Sequence, residues 1–197
     1  MEKSSLVVLA ANAPAFAGAL TWRPLDPLPV NAYGTRRMTI LVESDVSDDW
    51  DISTDWATLA ERAALAAVAH SDFSALADTE VSVKFTSDDE VRALNAAWRG
   101  KDKATNVLSF PMADAPEGAP MLGDIVLAAG VCAREAAAKQ VTVATHATHL
   151  VVHGTLHLLG YDHETNDEEA EAMEEIERQA LASLGIADPY HVNEVEL

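Results

Sequence analysis

Five of the seven histidines, His146, His149, His153, His157 and His163, fall within 18 residues, and their spacing constrains this chain more than any other feature. From Thr142 to about Leu159 the residues are mostly apolar and read as a helix. On such a helix His153 and His157, at i and i+4, share one face with Cβ atoms about 5 to 6 Å apart, which two ligands of one metal ion can bridge. Gly160 then ends the helix in the left-handed conformation most residues avoid, turning the chain so that His163 can approach the same point. Three neutral imidazole nitrogens around one cation, with a fourth position left for water or substrate, form the open type of zinc site. The pattern therefore predicts one zinc ion per chain on His153, His157 and His163, bound more weakly as pH falls toward 6. His149, four residues before His153, either extends this face or packs behind it, while His70, His146 and His191 read as surface residues.

The rest of the chain must supply a core for that helix. At 197 residues, with 49% apolar and 23% charged residues, it suits one compact domain with an appendage, and excludes global disorder, collagen and coiled coil. Cys132 is the one cysteine, so neither an internal disulfide nor a cysteine zinc finger can form, which fits a reducing cytosol and a cytoplasmic protein. Residues 1–37 differ in kind: they hold four of the eight prolines and a net charge of +2, against −19 for the whole chain. The apolar run from Leu6 to Leu20 has only Lys3 before it and is broken by Asn12 and Pro14. Its 15 residues fall short of the roughly 20 of a membrane helix, so no membrane association is expected. Residues 1–37 are expected to be a poorly ordered extension or the product of an upstream start ahead of Met38, with residues 38–197 forming the domain.

Periodicity predicts strands at Thr39–Glu43, around Val81, Val83 and Phe85, at Val107–Phe110 and at Asp124–Ala128. Helices are expected from a Thr54 cap to about His70, from a Ser87/Glu90 capping box to about Trp98 with Gly100 as the stop, and over Val131–Gln140, Thr142–Leu159 and Asp167–Leu184. Asp114–Pro120 reads as a mobile loop. The nine acidic residues between Asp162 and Glu177 read as a solvated helix face. The implied fold is α+β, a mixed four-stranded sheet packed with about five helices, with the three-histidine site on a C-terminal helix and the turn after it.

His153, His157, Gly160 and His163 also match the metzincin protease template, except that Gly154 stands where that template needs its Glu base. Peptide hydrolysis is thereby disfavoured. The run His153-Gly-Thr-Leu-His157-Leu-Leu-Gly160-Tyr-Asp162-His163 instead resembles the signature of the YbeY family of bacterial endoribonucleases. Arg99-Gly-Lys-Asp-Lys-Ala-Thr-Asn-Val-Leu-Ser-Phe-Pro111 resembles that family's basic loop and following strand, and Leu122-Gly-Asp-Ile125 its next strand. The resemblance covers about residues 39–190 in the same order. It implies a zinc-dependent, single-strand-specific endoribonuclease acting in 16S rRNA 3′-end maturation and ribosome quality control. Its implied partners are single-stranded RNA, 16S rRNA and the small ribosomal subunit, with no DNA. By motif position, His153, His157 and His163 are the metal ligands and Arg99 is the functional arginine.

A chain this acidic disfavours general coating of phosphate backbones, so RNA binding requires a local basic patch. Arg99, Lys101 and Lys103 place three positive charges in five residues. A guanidinium meets phosphate oxygens with a planar fork and lysines act as point charges, so Lys101 and Lys103 are RNA-binding candidates. Thr105 and Asn106 either add neutral bonds to RNA or shape a turn. Asp162 is a candidate general base, a partner of a histidine, or a turn cap before His163. Two other readings fit the same motif: a hydrolase on another substrate, because a three-histidine zinc site is chemically generic, and a ribosome-assembly factor whose metal is structural.

Overall fold

The computed structural model describes residues 40–72, 79–112, 121–163 and 167–190. The N-terminal extension, the Asp114–Pro120 loop and His191 lie outside the described residues. Nine elements follow in order: β1 (Ile40–Val46), α1 (Trp56–His70), β2 (Thr79–Thr86), α2 (Asp88–Arg99), β3 (Val107–Pro111), β4 (Met121–Ala128), α3 (Ala129–Ala138), α4 (Val143–Leu158) and α5 (Asp167–Ser183). The strands form one sheet in the order β1-β2-β4-β3. β1, β2 and β4 run parallel and β3 closes one edge antiparallel, so the sheet is mixed and the fold is α+β.

Alternation along the strands assigns the two faces. Val81, Val83, Phe85, Val107, Ile125 and Leu127 point to the main core with α1, α4 and α5. Leu108, Phe110, Val126 and Ala128 point the other way, to Val91, Leu94 and Trp98 of α2 and Val131 of α3. Helix α4 is buried almost all round, lying against the sheet with α1, α3 and α5 about it, which explains its lack of a polar stripe.

Several boundaries move for tertiary reasons. β1 runs on through Ser44–Val46 because β2 supplies backbone partners along its whole length, and as an edge strand it turns its acidic residues to solvent. β4 begins at Met121, paired to both β2 and β3. The cap of α1 is Asp55, whose carboxylate accepts from the Thr58 amide at 3.0 Å. Only half of the expected capping box forms: Ser87 accepts from the Glu90 amide, whereas the Glu90 carboxylate binds Lys84 Nζ at 2.6 Å. α3 starts two residues early, its Val131 amide held at 3.0 Å by Asp88 from the first turn of α2.

Candidate metal centre

Thr142 caps α4 by accepting from the Thr145 amide at 3.0 Å, and the helix carries His153 and His157 on one face. Their ring centroids are 4.5 Å apart and their Nε2 atoms 2.8 Å apart. Past Leu158 the Gly160 amide donates to the His157 carbonyl and Gly160 adopts φ 93°, so the chain reverses at a position where a side chain would be strained. His163 returns with its ring centroid 5.2 Å from each of the other two. One nitrogen from each of the three rings lies within 4.8 Å of the others. The expected triad is thus brought together.

Hydrogen bonding sets what those nitrogens offer. His157 Nδ1 donates to the Tyr161 carbonyl at 2.9 Å, and His153 Nδ1 donates to the Glu177 carboxylate. Both Nδ1 positions therefore carry the proton, leaving both Nε2 lone pairs aimed at the shared point. Burial is the largest influence on His157 and, with the neighbouring histidines, pushes it down to about 3; burial likewise lowers His153 against the opposing pull of Glu177. Two lone pairs facing each other at 2.8 Å repel unless a proton or a metal ion lies between or beside them. His163 Nε2 adds a buried nitrogen that finds no hydrogen-bond partner among the described residues. Three imidazole nitrogen donors without a carboxylate in their set fit zinc or a similar borderline cation. His153 and His157 are buried, and His163, half-exposed as a residue, keeps its Nε2 buried.

The low position of these rings has a measurable consequence. In the unfolded chain a histidine takes up its proton near pH 6.5, whereas His157, His153 and His146 resist it when folded. Below about pH 6.5 the unfolded chain therefore binds more protons than the folded one, and the metal-free protein loses stability as pH falls, by about 1.4 kcal/mol per pH unit for each proton held only by the unfolded chain. Urea midpoints of metal-free protein should drop between pH 7.5 and pH 5; equal midpoints would show that these rings titrate normally. For His157, pushed down to about 3, the same shift lowers the pH at which protons compete with a metal.

Gly154, the departure from the protease template, has a packing cause. A Cβ there would sit 3.0 Å from both Ile125 Cγ2 and Ser109 Oγ, because α4 lies hard against β3 and β4 at this point. A side chain at this position would require Ile125 and Ser109 to give way by a few tenths of an ångström.

On the opposite face of the sheet, α2 ends in Arg99, half-buried, with Lys101 and Lys103 exposed in the loop beyond. Arg92 grips Asp102 through two bonds of 2.7 and 2.9 Å, and the Asn95 amide donates to the Lys103 carbonyl at 2.7 Å. The loop is thus tied to α2 by its backbone and by Asp102 while its lysines point outward. Trp98 packs on Phe110 of β3, and Leu158 of α4 reaches Gly123, on the neighbouring rung of β4. The C-terminal ends of α2 and α4 therefore meet the same end of the sheet from opposite faces.

The model of the family described as Endoribonuclease YbeY matches residues 44–185. This chain belongs to the YbeY family. Endoribonuclease YbeY of Novosphingobium aromaticivorans is 56% identical over 163 residues, covering 78% of this chain and 98% of the relative. That of Rhizorhabdus wittichii is 54% identical over 168 residues, covering 79% and 99%. A solution structure of a Thermotoga maritima protein aligns at a TM-score of 0.48 and 24% identity, over 81% of this chain and all of the other. YbeY membership supports a nuclease acting on RNA as a hydrolase. Among the described residues, no helix is long and apolar enough to cross a membrane.

Two expectations fail around this YbeY-family site. His146 is not on the surface: it is 2% exposed, bonded at 2.7 Å to Glu135, which also accepts from the Asn106 side chain at 2.9 Å. Asn106 is spent there and on the Val107 amide, so it shapes the entry to β3. The acidic run is not solvated throughout, because Glu177 is 0% exposed. The sequence did hold a signal for it. Glu177 follows Met173 by four residues and precedes Ala180 and Leu181 by three and four, which places it in the buried stripe of α5. Burial alone would raise its carboxyl, but His153 and His149 beside it, with the Nδ1–H of His153 donating to it, hold it below the usual carboxylate range. His149 packs behind the site, its Nε2 3.7 Å from Glu177. Asp162 is half-buried and close enough for its charge to act on His157.

Proposed function

We propose that this chain is a zinc-dependent, single-strand-specific endoribonuclease of the cytoplasm that matures the 3′ end of 16S rRNA on the small ribosomal subunit and serves ribosome quality control. The observation that carries the metal dependence is the convergence of three histidine nitrogens, one of them buried without a hydrogen-bond partner among the described residues. Family membership supports the RNA substrate, and the resemblance of the three motifs supports the ribosomal one.

When bound, zinc supplies Lewis acidity toward a phosphoryl oxygen or a water. His153, His157 and His163 hold it. Arg99 binds the scissile phosphate and offsets charge growing on its equatorial oxygens, while Lys101 and Lys103 hold neighbouring phosphates of the strand. Product end groups identify the nucleophile: a 2′,3′-cyclic phosphate marks attack by the RNA's own 2′-hydroxyl and excludes direct attack by water. Cleavage of a single-stranded 16S 3′-end RNA, and its absence on the duplex form, tests the substrate assignment.

The proposed domain boundary makes a separate prediction. A chain beginning at Met38 should fold and cleave RNA as the full chain does, since residues 1–37 are proline-rich and the family match starts at residue 44. Aggregation or lost activity of that shorter chain would place part of the extension in the domain.

A further inference from the structure

Glu177 occupies a core position of α5 where an apolar residue would pack without the cost of taking a charge out of water. Its carboxylate is surrounded by donors. Oε1 accepts from His153 Nδ1, Oε2 accepts from the Tyr190 hydroxyl, and His149 Nε2 stands 3.7 Å from Oε2. Tyr190 arrives from the segment after α5 and sets its ring edge-on to His149 at 5.9 Å between centroids. His157, by contrast, rests its Nδ1 on a neutral backbone carbonyl.

We propose that Glu177 is the positioning residue that fixes His153 as a metal ligand, and that Tyr190 in turn holds Glu177. An anionic acceptor on Nδ1 locks the ring orientation and tautomer and makes Nε2 a stronger donor to a cation. The Tyr190 hydroxyl occupies the second oxygen, so the carboxylate cannot rotate away from His153. The inference rests on the metal-site reading above and adds to it a relay, Tyr190 to Glu177 to His153, that lies outside the three-histidine motif.

The test uses the full chain, Zn2+ titrated against a competing chelator, and histidine 15N spectra of the metal-free protein. Glu177→Gln keeps the shape and removes the charge. It should weaken zinc binding by about 10- to 100-fold and convert His153 from a single Nδ1–H tautomer to a mixture. Tyr190→Phe should weaken zinc binding several-fold with His157 and His163 unaffected, and it serves the test even if Glu177→Gln does not fold. Wild-type zinc affinity in both variants, with only melting temperature lowered, would overturn the proposal and leave Glu177 a packing residue. Two zinc ions per chain, one of them lost in His149→Ala, would also overturn it, because Glu177 would then be a ligand. A wild-type chain that takes no zinc, yet shows a His153 Nδ1–H tautomer that becomes mixed in Glu177→Gln, would sink the metal-site reading while retaining the link from Glu177 to His153.

Discussion

Arg99→Ala is expected to keep the zinc content and melting temperature of the wild type while lowering RNA cleavage by about 10²-fold or more, the usual consequence of removing one preorganised charge from a transition-state site. Stability should hold because Arg99 is the last residue of α2, where alanine is helix-compatible and the Gly100 stop is untouched. Zinc content should hold because a guanidinium stays protonated and does not ligate metal. Arg99→Lys should rescue in part, since an ammonium keeps the charge and loses the two-point fork. Lys101→Ala and Lys103→Ala, both on the exposed loop, should weaken RNA binding and flatten its salt dependence with turnover at saturating RNA preserved. Full cleavage by Arg99→Ala would return this loop to a solvated turn.

Removing a histidine of the triad should act on the metal itself. His163→Ala is the cleaner variant, because His163 lies on the turn after α4, half-exposed, and its Nε2 has no hydrogen-bond partner among the described residues. Its zinc content should fall to background and cleavage with it, at near wild-type stability of the metal-free protein. His157→Ala should abolish both as well, with an added loss of stability of about 1–3 kcal/mol because the Tyr161 carbonyl loses its donor in a buried place. Retained cleavage in either variant, with zinc absent, would separate the activity from the histidines.

The features legible in the sequence are those set by local spacing. His153, His157, Gly160 and His163 lie within eleven residues, and one helix followed by one left-handed glycine is enough to bring three imidazoles to a point. The alternation of β2 and the Ser87 and Gly100 signals around α2 are equally local. What escaped depends on contacts between distant segments. The amide that opens α3 is held by Asp88, 43 residues away in sequence, so no cap residue stands beside it. His146 looks like any polar residue in the first turn of a helix until Glu135 and Asn106 meet it. Glu177 shows the sharper conflict, where acidic composition argued for solvent while the apolar stripe of α5 argued for the core. The stripe prevailed because two hydrogen-bond donors, His153 and Tyr190, and the nearby His149 ring compensate the charge.

RNA cleavage should depend on a zinc ion held by His153, His157 and His163. The most direct test of this dependence strips the purified chain of metal, restores zinc in measured amounts, and follows cleavage of a single-stranded 16S 3′-end RNA at each step. Activity should be absent in the stripped protein and should rise in proportion to zinc, reaching its plateau at one ion per chain. Cleavage that is undiminished in protein verified to be free of metal, or that ignores zinc up to full occupancy, would contradict it.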